Sequence, residues 1–217
     1  RHHEGSFLLS ASNSRLLSSE PGAWTFVTMS DEYMLGGTYT GLVLYRKEKG
    51  QWVFDRKLDG LKESCRIMVK DEDQSIWISH PYRGVYNVRW NAGNKDKIDI
   101  RFFNQENGLP TNLNNYVFQI AGKAVFATEK GVFHFDRSKD TFVPDDDFNR
   151  LLDKQHRVRY LREDTKGNVW YVTDHEAGML IVNDFGLKKE VRKKVIPELA
   201  GKLVGGFEFL LPIDGHN

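Results

Sequence analysis

Short runs of alternating apolar and polar residues recur along the chain, and turns rich in glycine, asparagine or aspartate separate them. The runs are rich in aromatic and β-branched residues, which is the pattern of half-buried β-strands. Four segments repeat one unit, in which an aromatic strand meets a tight turn ending in glycine and a second strand follows. The pattern therefore predicts an all-β fold built from a repeated unit.

The turn glycines give this repeat a regular period. They fall at positions 41, 84, 131 and 178, in steps of 43, 47 and 47 residues. A period in the forties with four short strands per unit is typical of a β-propeller blade and not of a helical array. We predict a β-propeller fragment in which residues 1–217 form one partial domain. Its four complete four-stranded blades cover approximately residues 22–56, 65–103, 115–143 and 157–195.

Both ends of the chain carry remnants of further blades, at residues 6–12 and 205–217. The first has no inner strand before it, and Gly206–Pro212 resembles an inner strand with no successor. The remnants either pair and close a small ring or belong to an open arc. An open arc has unpaired strand edges, which favour a homo-oligomer. Since the chain lacks an initiator methionine, we expect it to be a piece of a longer protein.

A second element recurs between the blades. Asp59-Gly-Leu61 and Asn107-Gly-Leu109 lie 48 residues apart, and each precedes the inner strand of the next blade. Asp-Gly and Asn-Gly readily make sharp corners with positive φ, so the leucine that follows is expected to fill the apolar space between blades. Before the fourth blade, Phe148–Leu152 occupies this place and is predicted to form a short helical turn.

Composition and charge narrow the function classes. Lysine and arginine total 31 against 30 acidic residues, a net charge of +1, so no basic excess supports nucleic-acid binding. The single cysteine, Cys65, excludes a disulfide within the chain and a cysteine-based zinc site. Because Cys65 lies in an alternating apolar segment, we predict a small buried residue. The absence of a run of 18 apolar residues predicts no membrane-spanning helix.

Motifs for nucleophilic catalysis, phosphate binding or metal-dependent hydrolysis are absent from the sequence, so we expect neither catalysis nor a cofactor. Asp71, Asp73 and Asp164 recur in the turn between the first and second strands. They either bond their own backbone or hold calcium. Trp77 and Trp170 recur on the strand that follows, where they either pack between blades or offer stacking platforms for sugars.

Topology narrows the search for a ligand. In an up-and-down blade, the loops from second to third strand and from the fourth strand to the next blade emerge on one face. Aromatic, amide and charged groups on such loops suit a polar ligand such as an oligosaccharide; the alternative is ordinary solvated loops. Our candidate ligand-binding residues on these loops are Tyr39, His80, Tyr82, Arg83, Asn112, Asn114, Lys130, His156, Arg157 and His175, with Asn115 beside them.

The repeats resemble a known family, the two-component regulator propeller repeat. The resemblance rests on the segments Val69–Ile78 and Leu161–Tyr171, in which an acidic turn precedes an apolar-Trp-apolar strand, and on the two interblade Gly-Leu corners. It covers roughly residues 22–211. Blades one and three lack the tryptophan, and blade three lacks the acidic turn.

This resemblance implies a function that composition and periodicity do not. It implies a fragment of the extracytoplasmic, periplasmic sensor region of a regulator anchored in the inner membrane. The partners would be a glycan fragment and the downstream domains of the parent, among them a histidine kinase and often a DNA-binding output. Two other classes stay open. One is a protein-interaction scaffold, and the other is a propeller polysaccharide lyase that would use Tyr82, Arg83 and His175.

Overall fold

The computed structural model describes residues 3–152, 156–184 and 189–199. The chain falls into two compact units, one ending at Phe103 and the other beginning at Asn104. Four four-stranded antiparallel sheets and one two-stranded sheet contain the described strands, so the predicted all-β fold with four complete sheets is confirmed. The predicted inner strand at Gly206–Pro212 lies outside the described residues, and the limits of the domain stay a prediction.

The first unit contains a hairpin and two of the four-stranded sheets. The hairpin pairs β1 (Ser6–Leu9) with β2 (Ser14–Ser18), so the structure adds a partner strand to the remnant at residues 6–12. The first sheet consists of β3 (Thr25–Thr28), β4 (Tyr33–Thr38), β5 (Gly41–Glu48) and β6 (Gln51–Leu58). The second consists of β7 (Ile67–Lys70), β8 (Ile76–His80), β9 (Gly84–Asn91) and β10 (Asn94–Phe103).

The second unit contains the other two four-stranded sheets, which a helix separates in sequence. The third sheet consists of β11 (Tyr116–Ile120), β12 (Lys123–Thr128), β13 (Gly131–Asp136) and β14 (Thr141–Pro144). The fourth consists of β15 (Val158–Glu163), β16 (Val169–Thr173), β17 (Ala177–Asp184) and β18 (Lys189–Val195). Single 3-10 turns lie at Gln105–Asn107 and Pro197–Leu199. In all four sheets each strand bonds to its neighbour in sequence, which is the meander of a propeller blade.

The helical turn predicted at Phe148–Leu152 is confirmed as part of α1 (Asp146–Leu152). The Asn149 side chain fixes this helix to β13 with two hydrogen bonds. Its Nδ2 donates to the Val132 carbonyl at 2.8 Å, and its Oδ1 accepts from the Val132 backbone N–H at 2.7 Å. The amide therefore replaces a neighbouring strand at the point where the chain crosses to the next sheet.

The predicted turn glycines are confirmed in three of the four sheets. Gly41, Gly84 and Gly131 begin the third strand of their sheets with φ of 121°, 111° and 87°. These angles lie in the left-handed region, where a side chain would strain the backbone. The glycine repeat therefore marks a backbone geometry that recurs from sheet to sheet.

Gly178 does not belong to this set, so the prediction was wrong for the fourth sheet. There the Thr173 hydroxyl donates to the Glu176 carbonyl, as the Thr38 hydroxyl does to the Gly41 carbonyl. Glu176 thus occupies the turn position, and Gly178 lies inside β17. A Cβ on Gly178 would lie 2.3 Å from the Lys194 carbonyl oxygen, so close packing is the reason for glycine at this position.

The interblade corners are confirmed. Gly60 and Gly108 have φ of 110° and 91°, and the leucines that follow them, Leu61 and Leu109, are buried. Leu61 packs in a cluster with residues of the first and second sheets, including Leu35 and Ile78. This cluster is the core between the two sheets of the first unit, and Ile120, Leu152 and Tyr171 belong to the corresponding core of the second.

The aspartate turns and the tryptophans that follow them form one structural element. Trp77, which is 1% exposed, donates its indole N–H to Asp71 Oδ2 at 3.0 Å, while Asp71 Oδ1 accepts from the Glu72 backbone. Trp170 donates in the same way to Asp164 Oδ2 at 3.2 Å. The carboxylates therefore bond their own turns, which confirms that interpretation, and Trp77 packs in the interior.

The pKa of Asp164 reflects these bonds. Burial by itself would raise the pKa of the Asp164 carboxyl, but hydrogen bonds from Asn168, Trp170 and Lys166 outweigh it and lower the pKa. Asp164 is therefore a carboxylate at neutral pH, and its charge strengthens the bonds that hold the turn.

Cys65 is fully buried, as predicted, and burial raises the pKa of its thiol to about 12, with a further contribution from the Glu63 charge. The thiolate is the reactive form of a cysteine. Because the pKa of Cys65 is about 12 instead of 9.0, the fraction of thiolate at pH 8 is about a thousandfold lower than for an ordinary thiol. We expect no measurable reaction of the native chain with a chromogenic disulfide reagent at pH 8 over minutes, and complete reaction in 6 M guanidinium.

The same shift sets a pH dependence of stability. The pKa of the Cys65 thiol is higher in the folded chain, about 12, than its ordinary value of 9.0. The buried thiol therefore contributes fully to the free energy of unfolding below pH 9.0, and this contribution is lost as the pH rises toward about 12. Stoichiometric labelling of the native chain within seconds would contradict the burial of this thiol.

Candidate functional site

In the first unit, the β4–β5 turn, the β8–β9 turn and the β6–β7 connection lie at one end of the sheets, as the topology predicts. The Cys65 backbone N–H donates to the Thr38 carbonyl at 2.8 Å, which ties the connection to the β4–β5 turn. We call this end of each unit its loop face. The opposite end, with the turns from first to second and third to fourth strand, is the hairpin face.

Two of the predicted residues contact one carboxylate on the loop face of the first unit, and a third bonds to one of them. Arg83 Nη1 lies 2.5 Å from Glu63 Oε1, and His80 Nε2 lies 3.5 Å from Glu63 Oε2. The Tyr82 backbone N–H donates to His80 Nδ1 at 3.3 Å. The Tyr82 side chain is 74% exposed, so an aromatic ring projects into solvent from a base held by hydrogen bonds.

The protonation of His80 follows from its surroundings. Burial lowers the pKa of His80, although the Glu63 charge opposes that shift. The imidazole is therefore neutral at pH 7, with Nδ1 accepting from Tyr82 and Nε2–H directed to Glu63. Arg83 is therefore the positively charged partner that contacts the Glu63 carboxylate.

Tyr39 belongs to a second aromatic group on this face. The Arg66 guanidinium lies over the Trp24 ring at 5.0 Å and over the Tyr39 ring at 5.3 Å, and the two rings meet edge to face at 5.6 Å. Such stacking fixes the guanidinium through the ring quadrupoles. Tyr39 is therefore partly enclosed, and it presents less of its ring to solvent than Tyr82 does.

Sequence reasoning missed Glu63, Arg66 and Trp24. Glu63 and Arg66 lie on the β6–β7 connection, which the topological rule already placed on the loop face. The rule, applied to every connection, would have found both. Trp24 lies just before an inner strand, where its aromatic ring gave no signal that distinguished it from a packing residue.

The loop face of the second unit brings His156, Arg157 and His175 together. The His156 and His175 rings meet edge to face at 4.4 Å. The backbone fixes both segments, because the Gly131 N–H donates to the His156 carbonyl at 3.1 Å and the Asp174 N–H donates to the Arg157 carbonyl at 3.3 Å.

Three buried polar atoms of this unit have no hydrogen-bond partner among the described residues, namely His134 Nδ1, Arg157 Nε and Asn115 Oδ1, and the first of them lies 3.3 Å from Asp145 Oδ2. Asn115 is fully buried, and its Nδ2 donates to the Thr111 carbonyl at 2.8 Å. A buried donor or acceptor without a partner is costly, so each such atom in a native structure calls for water or a ligand.

The remaining candidates serve the loops themselves. Asn112 Oδ1 accepts from the Gln105 backbone N–H at 2.8 Å and so holds a 3-10 turn in place. Asn114, with φ of 55°, donates its Nδ2 to Glu129 Oε1 at 2.8 Å. Lys130 lies beside Glu129 in the β12–β13 turn, where its backbone N–H donates to the Thr128 hydroxyl.

Within residues 3–152, 156–184 and 189–199, no three His, Cys, Asp or Glu side chains lie close enough to hold a metal ion. Across the same described ranges, no helix is both long enough and apolar enough to cross a membrane.

Comparison with known proteins identifies solved structures of similar fold. No protein-family profile matches the chain, and no curated protein matches it in sequence. It superposes on the extracellular domain assigned to the hybrid two-component system BT4673 of B. thetaiotaomicron, with a TM-score of 0.59 and 16% identity over 88% of this chain and 25% of that one. The corresponding domain of BT3049 gives a TM-score of 0.57 with 17% identity, over 88% of this chain and 26% of that one.

The sheets are propeller blades. A more distant likeness, to virginiamycin B lyase from Staphylococcus aureus with quinupristin, has a TM-score of 0.51 and 12% identity over 85% of this chain and 59% of that one. The resemblance read from the repeats is confirmed as a structural match to extracellular domains of two-component systems. The chain spans about a quarter of the length of those domains.

Proposed function

We propose that this chain is a non-catalytic, ligand-sensing segment of the periplasmic part of a two-component sensor histidine kinase, and that it detects a glycan fragment. The likeness to extracellular domains of two-component systems supports the sensor class. The gene on either side of this chain would then encode a transmembrane helix and a kinase. A parent gene without either would overturn that part of the proposal.

The exposed Tyr82 ring is the observation that carries the ligand class. The Tyr82 ring is 74% exposed on a loop whose base is held by the His80 and Glu63 contacts, so it is accessible to a ligand in a fixed position. A flat ring with a guanidinium beside it can stack on the C–H face of a sugar while Arg83 bonds the hydroxyls.

The loop face of the second unit also offers polar and aromatic groups. Arg157 Nε and Asn115 Oδ1 are buried without a hydrogen-bond partner among the described residues, so ordered water, which can both donate and accept, is expected to satisfy them. The neighbouring His156 and His175 rings add an aromatic surface beside Arg157.

Calorimetry against a panel of glycan fragments tests the proposal. We expect saturable binding by the intact chain, and a loss of affinity of tenfold or more, about 1.4 kcal/mol, in Tyr82→Ala and in Arg83→Ala. Tyr82→Phe keeps the ring and is expected to retain most of the affinity. Phe26→Ala is the matched control, because it removes another partly exposed ring, on β3 of the first sheet, where its ring contacts Tyr45 and not the Glu63 group.

Other outcomes would point to the two remaining classes. Formation of a cleaved product would identify a lyase. Saturable binding of a protein partner by a chain that binds none of the glycans would identify a scaffold. Glycan binding that both Tyr82→Ala and Arg83→Ala leave intact would place the ligand elsewhere on the chain.

A further inference from the structure

A groove of about 620 Å³ opens on the hairpin face of the first unit, at the opposite end of the sheets from Tyr82. The β3–β4 turn of the first sheet forms one wall, and the β7–β8 turn and the β9–β10 hairpin of the second sheet form the rest. Its volume lies within the range of small-molecule sites. Most of its lining residues are polar or charged, and Trp90 is the one aromatic residue among them.

The polar wall of this groove is held rigid by a chain of hydrogen bonds. Asp73 Oδ2 accepts from Arg89 Nη2 at 2.8 Å, and Asp73 Oδ1 accepts from the Ser75 hydroxyl at 2.6 Å. The Ser75 oxygen in turn accepts from Asn87 Nδ2 at 2.9 Å. Groups fixed in this way lose little conformational freedom when a ligand binds.

The aromatic floor is also fixed in place. The Trp90 ring lies 5.1 Å from the Tyr33 ring and packs on the core between the two sheets. Trp90 is partly buried, and it lines the groove. The groove thus combines one apolar plane with a surrounding rim of charged and amide side chains.

Gln74, on the groove wall, has a strained backbone. Its φ is 67°, and its N–H donates to the Asp71 carbonyl at 3.0 Å. The matching turn of the fourth sheet makes the same bond from Gly167, whose φ is 79°. Glycine is the unstrained residue at such a position, so the second sheet carries an amide at a cost in stability. Gln74→Gly is therefore expected to relieve this strain, which separates the loss of the amide side chain from a loss of stability.

We propose that this groove is a second binding site, for an uncharged saccharide. Trp90 supplies the plane on which the C–H face of a sugar ring stacks, and Arg89, Asp73, Gln74 and Asn91 supply donors and acceptors for its hydroxyls. Arg89 and Asp73 form an ion pair, and Lys97 and Asp99 add one positive and one negative charge to the lining. The four charges cancel, so the groove favours a neutral ligand over an ionic one. This site does not depend on the loop-face site.

Titration of the intact chain with neutral gluco-, xylo-, manno- and galacto-trisaccharides tests the groove, read by calorimetry and by the indole N–H resonances of ¹⁵N-labelled protein. We expect saturable binding to at least one probe, with a shift of the Trp90 resonance. Affinity is expected to fall tenfold or more in Trp90→Ala. Gln74→Gly separates binding from folding, because it should weaken binding while its melting temperature does not fall.

Each remaining outcome decides the proposal. The half-exposed Phe102 provides the matched control, and Phe102→Ala is expected to keep the affinity. Absence of binding of all four probes at millimolar concentration overturns the groove site. So does binding that Trp90→Ala and Gln74→Gly both leave unchanged. A probe whose binding is lost in Tyr82→Ala and kept in Trp90→Ala belongs to the loop face, which supports the proposed function and rejects the groove.

Discussion

Gly37→Ala is expected to lower the free energy of unfolding by about 3 kcal/mol, at the upper end of the usual cost of overpacking a core. A Cβ at this position would lie 2.0 Å from the Cys65 carbonyl oxygen and 2.8 Å from the Met68 sulfur. The obstacle is a backbone atom of the β6–β7 connection, so no side-chain rotation relieves it. The two sheets of the first unit would have to separate there.

Thermal denaturation followed by circular dichroism measures the effect, as a fall in Tm of roughly 6 to 12 °C for a chain of this size. Gly93→Ala is the matched control. Gly93 also has no left-handed φ, and the nearest atom to its added Cβ is the end of the Asn91 side chain at 3.3 Å. Its effect is expected to stay within about 0.5 kcal/mol. Equal Tm values for the two variants would contradict close packing at Gly37.

Trp77→Ala is expected to cost about 4 kcal/mol, because it empties a fully buried site and removes a hydrogen bond from a buried carboxylate. The Trp77 ring also packs at 5.3 Å from Phe103, which would lose that contact. Trp77→Phe keeps much of the volume and removes the indole N–H, so it isolates the bond to Asp71. We expect a cost of about 1 to 3 kcal/mol for that variant.

Trp170→Ala is the matched comparison, since Trp170 makes the same bond to Asp164 from a partly exposed position. Its cost should be clearly smaller than that of Trp77→Ala. A double-mutant cycle with Trp77→Phe and Asp71→Asn measures the coupling, and we expect the two changes together to cost less than their sum. Strict additivity would show that the indole and the carboxylate stabilise the fold separately.

Much of the fold could be predicted from the sequence because it depends on local rules. Alternation identified the strands, positive-φ glycines at 41, 84 and 131 identified three turns, and the Gly-Leu corners identified the buried leucines at 61 and 109. Each of these signals is a property of a few adjacent residues. The same method failed at Gly178, because the sequence does not distinguish a glycine required by close packing from a glycine required by a turn with positive φ.

The candidate site was predictable only in part. The topological rule placed Tyr82, His80 and Arg83 on one face, and the structure brings them together. It did not reveal that Glu63 joins His80 and Arg83, or that Arg66 stacks on Tyr39. These contacts depend on which side chains of separate connections approach each other. A pattern of adjacent residues does not contain the distance between two connections, so it cannot predict such contacts.

The sequence by itself determined the repeated four-stranded unit, its turns and the end of each sheet where the long connections lie. Period, alternation and backbone preference are carried by neighbours along the chain, and they suffice for that. Only the tertiary structure decided which residues are fixed, buried or exposed. It exposed Tyr82 and enclosed Tyr39, and it joined the aspartate turns to the tryptophans. It also opened a groove on the hairpin face, because packing between sheets sets side-chain distances that no single strand encodes.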